Sequence, residues 1–398
     1  MMHRMNGTIV RRVRRLAVCA VSFALLSCLG AAGLQSGNVA LWIEHEVAIP
    51  YGDVTLYGVL TVPPTEGPHP AVALITGAAG PEGRSGVASW THIDHAHRFA
   101  AQGFACLRYD PPGTGRSDGE RGVDALDTRA EEAVAAAEFL RTRPDVDATH
   151  VGLWGISQGG WVIAMAAAES PQEIAFLIMV SGTTVSVAEQ QVYGVRTQSE
   201  AAGVVGDDLT TAVLVARLLI DWQIPEPIYR EANEADLGRL EPGPWTEFAA
   251  LVYGEPPEDP RQEIEQVIDI LERIDQETWA GSLYLGELYI PNLRRVAPGQ
   301  EAAAMEAAAS SLLAGPADYF RRVACPTMAL FGEDDLLVPA ERSVDLLHEY
   351  FQSSGNAELT VVVFPNAGHS LNGFMPAYWE ALYAWLEGLR TSWSGELP

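Results

Sequence analysis

The sequence contains no lysine, and its 25 basic residues are all arginine. They are outnumbered by 52 Asp and Glu residues, which gives a formal net charge of −27 at pH 7. Because so acidic a chain repels phosphate groups, the composition argues against nucleic acid as a partner. A GC-rich genome and an acidic, salt-tolerant surface would each explain the missing lysine. Internal repeats and low-complexity tracts are also absent from the sequence.

An apolar run long enough to span a membrane comfortably is missing from the N-terminal region, where Leu16 to Leu29 is too short. Five arginines precede this run, and small residues follow it at Gly30 to Gly33. This pattern predicts a secretory signal peptide in residues 1–33, and therefore a periplasmic, extracellular or membrane-anchored protein. Without the five arginines, the formal charge changes from −27 to about −32.

The signal segment also contains Leu25-Leu26-Ser27-Cys28, which resembles a bacterial lipobox. A lipid on Cys28 would attach the protein to a membrane. Ordinary cleavage near Ala32, with Cys28 discarded, is the alternative.

Cysteine is sparse, with four residues in the whole chain. Cys19 and Cys28 belong to the signal segment, so Cys106 and Cys325 remain. An oxidising compartment would allow one disulfide between them. Both lie in apolar runs, however, which favours two separate buried thiols.

Residues 151–170 carry the strongest chemical signal in the chain. A short apolar run leads into Gly155-Ile156-Ser157-Gln158-Gly159, and an Ala-rich apolar segment of helical character follows. Strand, Gly-x-Ser-x-Gly and helix form the context of a nucleophile elbow, in which the serine is held in a strained conformation. Side chains at Gly155 or Gly159 would collide with the neighbouring strand or helix. The amide of Gln158, at the helix N-terminus, could stabilise an oxyanion.

A second Gly-x-Ser-x-Gly pattern surrounds Ser117, from Gly115 to Gly119. It is followed by Glu120-Arg121-Gly122, which is polar and unlike a buried helix. This context predicts a surface turn in which Ser117 is a turn or capping residue.

Asp335 and His369 each follow an apolar run that predicts a strand. In a doubly wound sheet, such residues meet Ser157 at the carboxyl ends of the strands. A serine becomes a nucleophile when a histidine takes its proton, and that histidine is oriented by a carboxylate. Only one of the adjacent residues Asp334 and Asp335 can face His369.

Alternating strands and helices indicate an α/β core in residues 39–182 and 319–398. Between them, residues 183–318 show helical patterns over 185–202, 207–222, 261–276 and 301–313, joined by Pro-rich segments at 225–227 and 242–260. Such an insertion predicts a helical cap over the active site. Its apolar helical faces suggest an enclosed apolar pocket suited to an acyl chain.

A histidine-rich stretch runs from Trp90 to His97 and contains His92, His95 and Asp94. Its spacing fits none of the common zinc patterns, and no metal or cofactor is expected. The stretch predicts a polar loop near the site mouth that runs into a helix over 97–102. A contact between one of these histidines and substrate remains open.

Residues 40–182 and 316–390 resemble the α/β-hydrolase superfamily and, within it, bacterial serine carboxylesterases with a helical cap. The resemblance rests on the elbow and on three further stretches: Leu74 to Pro81, Leu107 to Ser117, and Cys325 to Pro339. It implies a doubly wound, mostly parallel sheet of about eight strands. The chain departs from the common pattern at Thr76, where many members have His, and at Pro112, where an Arg is common.

The same resemblance implies roles for individual residues. The family pattern Gly-Glu-x-Asp-x-x-Val-Pro falls on Asp335 rather than Asp334. The second oxyanion amide falls on Ala78, with Ala79 as the alternative. The expected catalytic residues are therefore Ser157, Asp335 and His369, with Gln158 and Ala78 as the oxyanion hole.

The expected function is that of a serine hydrolase that cleaves small-molecule carboxylic esters through an acyl-enzyme intermediate. A peptidase or acyl thioesterase on the same fold is the alternative, because the triad does not separate these reactions. The net negative charge disfavours anionic thioesters, unless arginines of the cap gather at the mouth of the site, among them Arg196, Arg217, Arg230 and Arg239. A non-catalytic binding protein is a third reading, which the complete set of catalytic residue types opposes.

Overall fold

The structure is a computed structural model, and it describes residues 41–78, 85–120 and 126–395. The predicted signal peptide, including Cys28, lies outside these residues. The alternative oxyanion residue Ala79 also lies outside them.

A single sheet of eight strands organises the described chain, in the spatial order β1-β2-β4-β3-β5-β6-β7-β8. The pairings of β1 with β2 and of β2 with β4 are antiparallel, and the other pairings are parallel. The predicted mostly parallel sheet of about eight strands is therefore confirmed. The strands are β1 (Ile43–Tyr51), β2 (Val54–Val62), β3 (His69–Ile75), β4 (Ala105–Tyr109), β5 (Val146–Ile156), β6 (Phe176–Val180), β7 (Thr327–Gly332) and β8 (Leu359–Phe364).

Helices cover both faces of this sheet, which explains why the central strands are continuous apolar runs. Successive side chains of a strand point to opposite faces. Leu153 of β5 thus packs in one apolar cluster and Trp154 in another. The flanking helices are α1 (Trp90–Ala101) and α14 (Pro376–Ser394) at the Trp154 cluster, and α2 (Leu126–Arg141), α3 (Gly159–Glu169) and α12 (Ala340–Ser354) at the Leu153 cluster.

Between β6 and β7 the chain forms a series of helices, which we call the helical insertion (residues 187–320). Its helices are α4 (Val187–Ala201), α5 (Gly206–Gln223), α6 (Arg230–Leu237), α7 (Pro244–Tyr253), α8 (Pro260–Ile274), α9 (Ile290–Arg295), α10 (Glu301–Leu313) and α11 (Pro316–Phe320). A one-turn segment, α13 (Leu371–Phe374), follows β8. The predicted division into core and cap at residues 182 and 318 stays a prediction.

The insertion has an apolar cluster of its own. Leu214 and Leu218 of α5 pack in it with Val267 and Leu271 of α8. The apolar faces that suggested an enclosed acyl pocket are thus used largely to pack these helices against one another. None of the helices in the described ranges is long and apolar enough to cross a membrane.

Several helices differ from the sequence-based expectation, and for two of them the N-terminus explains the difference. Helix α1 begins at Trp90 rather than His97, since the Ser89 side chain caps it by accepting a hydrogen bond from the His92 amide. Helix α7 lies inside the segment predicted as a Pro-rich joint. Pro244 stands in its first turn, where proline is favoured because the missing N–H would have no helical partner.

Candidate active site

Ser157 sits in a sharp turn between β5 and α3, at the carboxyl edge of the sheet. Its φ is 54°, a left-handed conformation that is strained for a residue with a side chain. A Cβ atom at Gly155 would lie 2.4 Å from the Gly159 carbonyl oxygen, and one at Gly159 would lie 2.9 Å from the carbonyl oxygens of Ile75 and Thr76. The elbow therefore requires both glycines because backbone atoms fill the space around them.

The segment after β3 passes beside this turn. A Cβ atom at Gly77 would lie 3.3 Å from the Ser157 Cβ atom. Ala78 follows Gly77 directly and is exposed, while Gln158 is the N-cap residue of α3. Since β4 and β5 lie on opposite sides of β3, this is the point where strand order reverses and where α/β proteins bind ligands.

His369 and Asp335 form a direct pair. His369 Nδ1 donates to Asp335 Oδ2 over 2.8 Å, since an ionised carboxylate can only accept. The other oxygen, Oδ1, accepts the amides of Leu337 at 2.8 Å and Val338 at 3.0 Å. Asp335 is 3% exposed, so its charge is held by these three donors in a nearly dry position.

The neighbouring carboxylate takes no part in this pair. Asp334 is exposed, and its backbone amide donates to the Ala367 carbonyl over 2.9 Å. The structure thus brings Asp335, and not Asp334, to His369.

Among the described residues, no hydrogen bond joins the side chains of Ser157 and His369. The His369 side chain is 24% exposed. In enzymes without bound substrate, catalytic hydrogen bonds are often long and tighten only when substrate binds.

Helix α4 of the insertion holds the loop that carries Asp335. Three of its side chains each donate to one of three consecutive backbone carbonyls: Gln190 to Leu337 at 2.8 Å, Tyr193 to Asp335 at 3.0 Å, and Thr197 to Leu336 at 2.6 Å. The donors lie on one face of the helix by their spacing. Burial, and then the negative charge of Asp335, raises the pKa of Tyr193, which keeps its hydroxyl protonated as a donor.

Arg129 of α2 is a further residue at the site that the sequence reasoning missed. It is 1% exposed and donates to the side-chain oxygen of Gln158 and to the carbonyls of Thr76 and Gly77. The only sequence signal was an arginine on a helix face otherwise rich in alanine, which does not reveal a partner more than fifty residues away.

Ser117 lies elsewhere and is bound to backbone, as a turn residue would be. Its hydroxyl donates to the Asp110 carbonyl over 2.5 Å and accepts the Tyr57 amide over 2.8 Å. The Asp110 side chain is buried and accepts from the Ser85 hydroxyl and the Val87 amide, each at 3.0 Å.

The histidine-rich stretch does not form the predicted polar loop at the site mouth, and that prediction is wrong. His92 and His95 lie on the buried face of α1. Burial lowers the pKa of His92 to about 4 and that of His95 to about 3. His95 is neutral and bonded through Nδ1 to the Thr91 carbonyl at 2.7 Å and through Nε2 to the Tyr378 hydroxyl at 2.9 Å, which makes it a packing residue.

His97, the third histidine, bonds to the Glu44 carboxylate at 3.1 Å and stacks on Trp42. In the described ranges, no group of three or more His, Cys, Asp or Glu residues is arranged to hold a metal ion.

Cys106 and Cys325 are two separate free thiols, as predicted, but only Cys106 is buried, and Cys325 is half-buried. Cys106 lies fully buried in β4. Burial raises the pKa of Cys325 to about 12, so that it remains protonated at neutral pH.

Comparison with known families covers most of the described chain. Residues 52–255 match the family model described as X-Pro dipeptidyl-peptidase (S15 family). Residues 314–397 match the C-terminal model described as BAAT / acyl-CoA thioester hydrolase.

Among curated relatives, the polyketide transferase grgF of a Penicillium species is 39% identical over 90 residues, which is 22% of this chain and 30% of that protein. The thiohydrolase apmlB of Arthrinium phaeospermum is 39% identical over 75 residues, which is 19% of this chain and 24% of that protein. The chain thus matches less than a third of the length of either relative.

Two solved structures agree with the fold over nearly the whole described chain. DcsB, solved in complex with its substrate analogue, has a TM-score of 0.51 at 20% identity and covers 87% of this chain and 98% of its own. The α/β-hydrolase GrgF from Penicillium sp. sh18 has a TM-score of 0.51 at 19% identity and covers 87% and 97%. The protein therefore has the α/β-hydrolase fold and belongs to the family described as X-Pro dipeptidyl-peptidase (S15 family).

Proposed function

We propose that the protein cleaves small-molecule carboxylic esters, with Ser157 as nucleophile, His369 as base and Asp335 as its orienting carboxylate. The observation that carries this proposal is the 2.8 Å hydrogen bond between His369 and the buried Asp335, which follow strands of the sheet that also presents Ser157. Such a pair gives His369 the tautomer that leaves Nε2 free to take a proton.

In the proposed reaction, Ser157 Oγ attacks the ester carbonyl carbon while its proton moves to His369 Nε2. The carbonyl oxygen becomes an oxyanion, which the backbone amides of Gln158 and Ala78 stabilise. His369 then protonates the departing alkoxide, and an alcohol leaves. Water, deprotonated by His369, attacks the acyl-enzyme. His369 then returns this proton to Ser157 Oγ as the ester bond breaks and the carboxylic acid leaves. Asp335 stabilises the charged imidazole at each step without accepting its proton.

A peptidase or an acyl thioesterase is the second candidate, because the two matched family models are described by those activities. We favour esters because an alkoxide leaves more readily than an amine. Amide cleavage demands that His369 protonate the leaving nitrogen in a defined position. The excess of 52 acidic over 25 basic residues also disfavours anionic acyl-coenzyme A.

The test is a comparison of kcat/KM on a nitrophenyl butyrate, an aminoacyl-prolyl anilide and a short acyl-coenzyme A, with Ser157→Ala as blank. The ester is expected to be turned over fastest. A faster anilide or thioester would overturn the ester proposal and leave the serine mechanism in place. Labelling by a fluorophosphonate probe separates any of these enzymes from a non-catalytic binding protein, which would remain unlabelled.

We also propose that the protein is exported, on the strength of the arginine-rich and apolar pattern in residues 1–33. The mature chain is expected to begin at Cys28, with a lipid and a membrane location, or close to Gly33. Mass spectrometry of the membrane and soluble fractions distinguishes these forms. Recovery of a cytoplasmic protein that retains residues 1–27 would contradict export.

A further inference from the structure

A charged guanidinium lies buried behind the proposed oxyanion hole. Arg129 is 1% exposed on α2, on a helix face that otherwise buries mostly alanines such as Ala130, Ala133 and Ala137. A buried charge is costly unless hydrogen-bond acceptors surround it. Acceptors for this charge include groups directly beside Ser157.

Two nitrogens of Arg129 donate to acceptors in the two segments that flank Ser157. Nη1 donates to the side-chain oxygen of Gln158, the residue directly after the nucleophile. Nη2 donates to the carbonyls of Thr76 and, at 3.2 Å, of Gly77, in the segment that passes beside Ser157. One planar side chain thus connects both segments from which the oxyanion amides are expected.

The bond to Gly77 also fixes the direction of a neighbouring amide. In a trans peptide, the C=O of one residue and the N–H of the next point in opposite directions. Because the Gly77 carbonyl points at Arg129, the N–H of Ala78 points away from α2. The bond also polarises this peptide, which makes its N–H a stronger donor.

We propose that Arg129 is a positioning residue of the oxyanion hole: it fixes the Gly77–Ala78 peptide relative to Gln158 and polarises it toward the developing negative charge. This inference rests on the proposed function, since it assumes that an oxyanion forms at Ser157. Preorganised donors of this kind act mainly on the transition state, so that their loss lowers kcat more than it raises KM.

The test compares Arg129→Gln with Arg141→Gln. Arg141 lies on the same helix and also donates to a backbone carbonyl, that of Ala148 at 2.7 Å, but it does not contact the elbow. We expect Arg129→Gln to lower kcat on nitrophenyl butyrate roughly 10- to 100-fold, with KM changed by less than about threefold. Arg141→Gln should keep the kcat of the wild type.

Two further measurements separate positioning from a purely structural role. A trifluoromethyl ketone forms a tetrahedral adduct with a catalytic serine, and its affinity should fall by the same factor as kcat in Arg129→Gln. In Arg129→Ala, guanidinium ion at non-denaturing concentration should restore part of kcat, whereas equal sodium chloride should not. A structural role alone would lower the melting temperature without either effect.

If Arg129→Gln does not fold, Arg129→Lys and Gln158→Met carry the test. Arg129→Lys keeps the positive charge but not the planar pair of donors. Gln158→Met removes one acceptor and leaves the Gln158 backbone amide in place. Each variant should lower kcat, but by a smaller factor than the one expected for Arg129→Gln. Unchanged kcat and ketone affinity in the folded variants would overturn the role of Arg129 alone. A wild type that neither cleaves the ester nor reacts with a fluorophosphonate would overturn the proposed function, and this inference with it.

Discussion

Ser157 and Asp335 both follow a buried parallel strand, yet the chain holds them by different means. At Ser157 the constraint is steric, because the carbonyls of Gly159, Ile75 and Thr76 leave no room for a side chain at Gly155 or Gly159. At Asp335 the constraint comes from hydrogen bonds, which side chains of α4 donate to the carbonyls of residues 335–337. One added side chain should therefore disrupt the Ser157 turn, whereas the loss of one hydrogen bond should loosen the Asp335 loop only in part.

The largest effect should come from the nucleophile itself. Ser157→Ala is expected to lower ester turnover by a factor on the order of 10⁴ to 10⁶ without unfolding the protein. Ser117→Ala is its matched control. Ser117 also lies in a Gly-x-Ser-x-Gly pattern, but its hydroxyl forms hydrogen bonds with backbone groups. Steady-state kinetics beside a circular dichroism melt would check both variants. An inactive Ser117→Ala with an active Ser157→Ala would place the elbow in the other motif.

The identity of the carboxylate that orients His369 is tested by Asp335→Asn against Asp334→Asn. An amide at residue 335 would favour the wrong tautomer of His369, and turnover should fall by roughly 10⁴-fold. Asp334→Asn should change turnover little, because the Asp334 side chain is exposed. His369→Ala is expected to be as inactive as Ser157→Ala. Equal kcat/KM values for the two Asn variants would show that the loop has been assigned one residue out of place.

The steric constraint at the elbow is tested by a single added methyl group. Gly155→Ala should destabilise the protein by about 1–3 kcal/mol, because backbone atoms cannot move aside as a flexible side chain can. Gly388→Ala is the control. Gly388 lies in α14, where the new Cβ would have no atom within 4 Å apart from the nearby backbone of its own helix, and the substitution should stabilise the protein by about 0.5–1 kcal/mol. Chemical denaturation measures both changes. Equal stability of the two variants would show that the elbow has room to relax.

The smallest effects are expected on α4. Thr197→Val removes one hydrogen bond of about 1 kcal/mol, which corresponds to at most about a fivefold loss of kcat if all of it acts on the reaction. Tyr193→Phe should lower kcat by a similar factor. In the double variant, the loss of kcat should exceed the product of the two single losses, because both hydrogen bonds hold the same loop. Thr210→Val is the control, because the Thr210 hydroxyl binds Gly206 within the exposed part of α5. If either single variant were as inactive as Asp335→Asn, the loss of one hydrogen bond from α4 would be enough to displace the loop, which would contradict this prediction.

The same contrast explains what the sequence could predict. The strands, the elbow and the position of His369 follow from local patterns: apolar runs, punctuating glycines and polar residues directly after a strand. Local patterns left Asp334 and Asp335 as alternatives, and only the resemblance to the α/β-hydrolase superfamily selected Asp335. Arg129 and Tyr193 could not be found in this way, because their partners are distant in sequence and become neighbours only when helices pack on the sheet. The error at α1 has a local cause, since three histidines suggested a polar loop while the Ser89 cap pointed to a helix.

The helical insertion has a consequence for how the protein reaches its native state. Strand β6 ends at Val180 and pairs with β7, which begins only at Thr327. Closing so long a loop affects equilibrium stability weakly, since each doubling of loop length costs only about 0.6 kcal/mol. It does slow folding, because the pairing joins residues that are far apart along the chain. During synthesis, the apolar edge of β6 therefore waits unpaired while the insertion is made, and this edge is where a partly folded chain is most exposed to aggregation.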